Sequence, residues 1–356
     1  MNIQELTDIS TWNSFYESVG APSFHHSWEW GLFQQKCGKE ILRLGLFDHE
    51  KLVAIALVVK VKSKRGKYLF VPHGPLFDIR ADKLTQHIGV DDRDRIGAQL
   101  KVITDYLITL AKQEGFWFIR IAPPLTRDED HKQLFSSLGY RTAPIYVHAE
   151  TMSVLDVTQS EDDLMAGMRK NTRYYIRRAI KDGLQVSHHN SVEATHDFLS
   201  LYHTTAKREQ FQPYSDAYIR YEFESFNTAN NAMFFLSGLE FAQQGLSKIL
   251  AGSLVIFTSA SGFYHQGASI HTQYPAAYLL QWHSILEAKR RGCNYYSFHG
   301  VYDKGRTPRA WEGLTLFKRG FGGFDVNYLF TQDYVISPNY YFSFALDTYL
   351  NLKRGV

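Results

Sequence analysis

One lysine stands out as a group that could do chemistry. In Gly313-Leu-Thr-Leu-Phe-Lys-Arg-Gly-Phe-Gly-Gly323 a short apolar run carries Lys318 and ends in glycines that can turn the backbone sharply. Ahead of it, Tyr295-Tyr-Ser-Phe-His-Gly300 reads as a buried strand with a polar tip. A strand, a loop and then the pair Phe317-Lys318 would aim one cation into a cleft. The plainer placement is a solvated Lys318 after a core strand and a turn, because most lysines are solvated.

Two further groups invite a chemical reading. Tyr264, His265, Gln266 and Ser269, with Tyr214 and Tyr218, offer hydroxyl, imidazole and amide groups suited to a sugar- or peptide-like ligand. Any one of them alone is as readily structural. The stretch Arg169-Lys-Asn-Thr-Arg-Tyr-Tyr-Ile-Arg-Arg-Ala-Ile-Lys181 is strongly basic. On a helix, Arg169, Arg173, Arg177 and Lys181 share one stripe, which Lys170 and Arg178 widen. Like charges four apart repel, and residues 164–181 hold no acidic partner. A phosphate backbone would give such a stripe a purpose. The alternative is a solvated helix face.

The totals exclude several classes. With 356 residues the chain suits two domains or one large one. Its 44% hydrophobic and 21% charged content fits packed cores rather than disorder. A net charge of +3 is too small to name a partner, so local clustering has to do so. Cys37 and Cys293 form neither a disulfide framework nor a metal-ligand spacing, so no metal is expected. The N-terminus has no basic-then-apolar signal, and no apolar run nears the ~20 residues of a membrane helix. A soluble cytoplasmic protein is expected. Walker A, HExxH and nucleophile-elbow sequences are missing.

The elements that must position these groups read as α/β (α+β). Asp94–Glu114 has helical spacing at Ile96, Leu100, Ile103, Leu107 and Leu110. Ser160 caps a helix expected to run unbroken to Lys181, and Pro275–Arg291 is a helix ended by Gly292. Strands are expected at Leu52–Lys60, Lys248–Phe257, Gly262–Gly267 and Val326–Phe330, with a last helix at Tyr340–Leu352. The two halves repeat each other. Ala54-Ile-Ala-Leu-Val-Val59 has a counterpart in Ala251-Gly-Ser-Leu-Val-Ile256. Leu110-Ala-Lys-Gln-Glu-Gly-Phe-Trp-Phe118 parallels Glu287-Ala-Lys-Arg-Arg-Gly-Cys-Asn-Tyr295. The order of elements is that of an acyl-CoA N-acyltransferase (GNAT) domain, present twice, over 1–150 and 151–325. The pyrophosphate loop of coenzyme A enzymes is not matched at Asp92-Arg-Asp-Arg-Ile-Gly-Ala98 or Gln273-Tyr-Pro-Ala-Ala-Tyr278.

Taken in order, four motifs resemble the Fem family, the aminoacyltransferases that build peptidoglycan side bridges. They are Met168 to Gly183, Gly267-Ala-Ser269 with Tyr278-Leu-Leu-Gln-Trp282, Ala288-Lys-Arg-Arg-Gly292 with Tyr296 to Gly300, and Leu316 to Gly323. The resemblance implies two tandem GNAT-like domains, the first (1–150) completed by 326–356 folding back onto it. It implies transfer of an amino acid from aminoacyl-tRNA to the stem-peptide amine of a nucleotide- or lipid-linked muramyl peptide. No cofactor is implied beyond aminoacyl-tRNA as co-substrate. The protein would be a monomer, with peripheral membrane contact through a lipid-linked acceptor. The chain shows no heptad insertion and so resembles the armless members.

Residue by residue, Phe317 and Lys318 match the family's Phe-Lys pair, which implies that Lys318 would stabilise the negative charge developing on the ester carbonyl. Tyr218 matches a tyrosine that touches the muramyl peptide, and Lys36 lies near a lysine that contacts substrate phosphate. Two departures stand out. Ala122 replaces an aspartate found before proline in some relatives, and Tyr214 replaces a substrate-contacting arginine. They leave the phosphate contacts and any carboxylate base unassigned, so the attacking amine would lose its proton to water or to the substrate itself. Two other readings stay open: an acyl-CoA N-acyltransferase with an atypical loop, and a duplicated module that binds RNA or a cell-wall precursor without turnover.

Overall fold

The structure, a computed structural model, describes residues 1–79, 90–240 and 246–356. Along the chain the strands are β1 Asn2–Glu5, β2 Glu40–Asp48, β3 Lys51–Ser63, β4 Gly66–Val71, β5 Leu76–Phe77, β6 Phe118–Ile121, β7 Arg141–Thr142 and β8 Thr151–Asp156. They continue with β9 Leu184–His189, β10 Ala232–Glu240, β11 Leu246–Phe257, β12 Ser261–Ser269, β13 Tyr295–Gly300, β14 Phe324–Asn327 and β15 Gln332–Val335. The helices are α1 Ile9–Ser18, α2 Trp28–Lys36, α3 Val90–Glu114, α4 Glu129–Ser137, α5 Glu161–Gly167 and α6 Lys170–Lys181. After them come α7 Ala194–Glu209, α8 Asp216–Asn227, α9 Ala276–Arg290, α10 Trp311–Arg319 and α11 Tyr340–Lys353.

Two compact units result. One holds Met1–Met152, Gly300–Glu312 and Val326–Val356, and the other holds Ser153–His299 and Gly313–Asp325. Among the described residues the sheets run β1-β2-β3-β4-β6-β15-β7, with β5 on β3, and β14-β8-β13-β12-β11-β10-β9. The sequence repeat is a repeat of topology. In the first unit β2, β3 and β4 form an antiparallel meander, α3 crosses over, and β6 pairs parallel to β4. In the second, β10, β11 and β12 do the same, α9 crosses over, and β13 pairs parallel to β12. A parallel pair needs such a crossover, which explains why the long helix sits between the last two strands of each copy.

The expected helical spacing of α3 holds. Ile96, Leu100, Ile103 and Leu107 are all buried against Leu44, Val58, Leu69 and Ile119. The second core joins Ile176, Leu250, Val255, Ile285, Tyr296 and Phe321.

Two expectations are corrected. The helix expected from Ser160 to Lys181 is two helices, with Met168 and Arg169 in extended backbone between them. The break is satisfied locally. The Arg169 N–H donates to the Gly320 carbonyl at 2.9 Å, and the Arg173 guanidinium donates to the Ala166 carbonyl at 2.9 Å and to that of Met168. Beyond β14, the run expected as a strand to Phe330 stops at Asn327, and β15, absent from the sequence reading, follows between β6 and β7.

Candidate active site

The Phe317-Lys318 pair follows β13 and a loop and lies on the last turn of a helix, α10, an element the sequence reading did not name there. Its facing inverts the usual pattern. Leu314 and Leu316 are 45% and 58% exposed, while Thr315 and Lys318, three apart on one face, are buried. A helix that turns its lysine inward and its leucines outward gives up apolar burial. Lys318 is 6% exposed, with Nζ 5.9 Å from the centre of the Tyr264 ring. Burial pushes its ammonium down to about 7. The carbonyl end of a helix favours a cation and partly opposes that loss. Phe317 packs edge-on to Tyr278 and Phe321 and so fixes the turn that carries the lysine.

The glycines after α10 hold this turn in place. Gly322 and Gly323 have φ of +93° and +86°, and a Cβ on Gly323 would stand 2.1 Å from the Val154 carbonyl oxygen of β8. Gly323→Ala therefore forces left-handed backbone on a β-branch-free but chiral residue and pushes against a strand. A loss of stability on the order of 1–3 kcal/mol is expected from the backbone alone, read as a lower thermal midpoint.

β12 passes beside this lysine and parts from its neighbour there. It pairs with β13 only from Ser261 to Phe263 against Tyr295 to Ser297, although β12 runs on to Ser269 and β13 to Gly300. Against β11 the register slips: Val255 faces Tyr264 and Leu254 faces Gln266, which leaves His265 as the extra residue of a bulge. A bulge re-aims a side chain, and here it turns His265 toward α8. His265 Nε2 lies 2.7 Å from Glu222 Oε1, and Gln266 Nε2 donates to Glu222 Oε2 at 3.4 Å. Glu222 is fully buried. The His299 ring lies 5.5 Å from that of His265, at the end of β13, where His299 adopts a φ of +62°.

Tyr214 and Tyr218 stack at 4.2 Å with planes 7° apart at the start of α8, where Ser215 caps the helix by accepting the Tyr218 N–H. Burial, and then the nearby Glu222 charge, push the Tyr214 hydroxyl up. Ser269 is held by its backbone: its carbonyl accepts from Thr205 Oγ1 at 2.9 Å and from Arg208 Nη1 at 2.6 Å. Of the residues singled out from sequence, the structure thus gathers Lys318, Phe317, Tyr214, Tyr218, Gln266 and Ser269 in one unit. Lys36, exposed on the last turn of α2, belongs to the other.

The sequence profile of the FemAB family matches residues 7–247 and 240–348. The chain belongs to the FemAB family. No curated protein matches it. Among solved structures it is similar to FemX, with a TM-score of 0.80 at 16% identity over 96% of this chain and 99% of that one. It is also similar to a tandem GNAT protein from the clavulanic acid biosynthesis pathway, at 0.57 and 11% identity over 95% and 99%. L-PGS from Bacillus licheniformis gives 0.56 and 12% identity over 98% and 99%. At these identities the likeness is one of fold: two tandem GNAT-like domains.

Within this FemAB chain the basic stripe divides. Lys170, Arg177 and Lys181 are exposed on α6. Arg173 is spent on the two carbonyls at the helix break, and Arg178 pairs with Asp182 at 3.3 Å, an acid just beyond the stretch read from sequence. Arg169 stands before the first turn rather than on it, and its backbone ties α6 to the turn after α10. Glu222 is the member of the cluster that sequence reading passed over. The signal was present: with Ile219, Phe223 and Phe226 it sits on the apolar face of α8, an unusual place for a carboxylate. Among the described residues no three His, Cys, Asp or Glu groups are arranged to hold a metal, and no helix is long and apolar enough to cross a membrane.

Proposed function

We propose that this chain is an aminoacyltransferase that moves an amino acid from aminoacyl-tRNA to the stem-peptide amine of a peptidoglycan precursor, nucleotide- or lipid-linked. The observation that carries the reading is Lys318, a buried cation beside the parting of β12 from β13, in a chain of the FemAB family. Attack of an amine on the aminoacyl ester places negative charge on the carbonyl oxygen, and Lys318 offers a desolvated ammonium to meet it. An ester is exchanged for an amide, so the driving force arrives with the tRNA. Tyr214 and Tyr218 present stacked rings to a sugar or peptide, and aminoacyl-tRNA is the only co-substrate proposed. The protein would work in the cytoplasm as a monomer, meeting a lipid-linked acceptor at the membrane surface. Mass spectrometry of muropeptides from cells with and without the gene tests this. Loss of a bridge residue is expected, and unchanged muropeptides would refute it.

An acyl-CoA reading is disfavoured by the start of α9. There Tyr274 and Pro275 precede the helix, and Tyr278 is packed between Tyr175, Phe317 and Phe321. A pyrophosphate needs open amides at that place. Tight acetyl-CoA binding in calorimetry would reverse this choice. For tRNA, the division of the stripe sets the expectation. Arg177→Ala and Lys181→Ala should each lower the slope of log K against log salt by about one, whereas Arg173→Ala should act chiefly on stability. Titrations at several salt concentrations check it.

A further inference from the structure

An amine presented to an ester at neutral pH is an ammonium ion and has to lose a proton before its lone pair can attack. We propose that Glu222, His265 and His299 form a proton relay that takes this proton, with His299 as the group that meets the acceptor amine. The inference rests on the aminoacyltransferase reading above.

Four observations converge on it. His299 occupies the end of β13 past its last pairing with β12, so it stands where the two strands part, and it is half-buried rather than sealed in the core. Its backbone is held at a φ of +62°, a conformation that costs a histidine free energy and is typically kept where function requires it. His265 follows at 5.5 Å between ring centres, placed there by the β12 bulge. Glu222 ends the chain, fully buried, with Oε1 2.7 Å from His265 Nε2. A carboxylate so placed fixes the imidazole, with Nε2–H donating to it and the lone pair on Nδ1. It also supplies the negative charge that a protonated histidine needs when desolvated. Among the described residues, Tyr202 on α7 and Tyr214 at the start of α8 feel the Glu222 charge, Tyr264 precedes His265 on β12, and Lys318 on α10 has Nζ 5.9 Å from the centre of the Tyr264 ring. Burial pushes Tyr264 up to about 12, so it stays a neutral phenol, and Lys318 is the cation assigned to the ester oxygen.

The step balances. The acceptor ammonium gives one proton to His299, which passes it toward His265 and Glu222. The nitrogen lone pair forms the C–N bond. The ester C–O bond breaks, and the second amine proton leaves with the ribose oxygen as the tRNA hydroxyl. His299 is the catalytic residue, and His265 and Glu222 are positioning residues.

The test uses the full chain with aminoacyl-tRNA and a muramyl pentapeptide, comparing His299→Gln, His265→Gln and Glu222→Gln with wild type from about pH 6 to about pH 9. His299→Gln is expected to lower kcat/KM by about 10²-fold or more at pH 7, within the usual reach of a general base. The gap to wild type should narrow as pH rises, because the amine then sheds its proton unaided. It should narrow again with an acceptor carrying a weakly basic amine, such as a hydrazide. His265→Gln keeps a hydrogen bond to Glu222 and should show the same pattern with a smaller loss. A merely structural change would lower the rate equally at every pH and with every amine, and that result would overturn the relay, as would wild-type rates in His299→Gln. Should Glu222→Gln fail to fold, His299→Gln, at a half-buried site, still decides. A wild-type protein that transfers nothing would overturn the aminoacyltransferase reading and the relay together, whereas active wild type with an indifferent His299→Gln overturns the relay alone.

Discussion

Lys318→Met is expected to slow amino-acid transfer by about 10²–10³-fold, the loss typical of removing one preorganised charge from an acyl-transfer site. The same substitution is expected to make the protein more stable. Lys318 is buried, and its folded pKa of about 7 lies below the ordinary 10.5. Between those values the unfolded chain binds the proton and the folded chain does not, so stability rises with pH across that window. Below about pH 7 the full burial cost is present, and it fades as pH approaches 10.5. Methionine has similar length and no charge. At pH 7 the gain should be on the order of 3–5 kcal/mol, and the difference in thermal midpoint should shrink toward pH 10. Opposite movements of rate and stability are what a site held at a cost to the fold produces. A merely solvated lysine would change neither. Near pH 7 the ammonium and the free amine coexist, and an oxyanion forming beside Nζ draws the balance toward the ammonium.

The second large effect lies in the other unit. Arg120 on β6 and Asp333 on β15 face each other in register, 3% and 0% exposed at the side chain, with Nε–Oδ1 at 2.7 Å and Nη2–Oδ2 at 2.8 Å. Burial disfavours the guanidinium, but Asp333, by charge and hydrogen bond, outweighs it, with Tyr68 and Asp347 adding to the upward shift. Asp347 Oδ2 accepts a further bond at 3.1 Å, and the Tyr340 hydroxyl donates to Asp333 at 3.3 Å. Asp333→Ala strands the guanidinium between two strands with one carboxylate at its edge. A loss of about 3–5 kcal/mol is expected in urea denaturation. Replacing Arg120 and Asp333 together by Met and Leu should recover most of it, because the pair's own desolvation cost disappears with it. If the double variant is as unstable as the single one, the pair holds β15 by more than charge.

Both results bear on what a sequence discloses. The repeated unit was legible because it rests on local signals. Ile96, Leu100, Ile103 and Leu107 keep a helical period, and Gly115 and Gly292 end the matching helices. The family motifs were legible as strings of residue types. The helix break at Met168 was not, since it depends on Gly320, over a hundred residues away, accepting the Arg169 N–H. β15 was missed because its alternation is slight and its place is set by Arg120 opposite Asp333. The burial of Lys318 follows from which way α10 faces, and an apolar run with one lysine reads either way until Leu314 and Leu316 are seen pointing outward. The Glu222–His265 pair joins residues 43 apart through a one-residue slip in β12, and register slips leave no mark in composition.

Under the proposed function, Lys318 serves amino-acid transfer from tRNA to a cell-wall precursor. The most direct measurement is the appearance of labelled amino acid on a muramyl pentapeptide when purified wild type or Lys318→Met is given a pool of charged tRNAs. Label is expected on the acceptor with wild type and is expected to be almost completely lost in the variant. Absence of label with every charged tRNA, or equal labelling by both proteins, would contradict it.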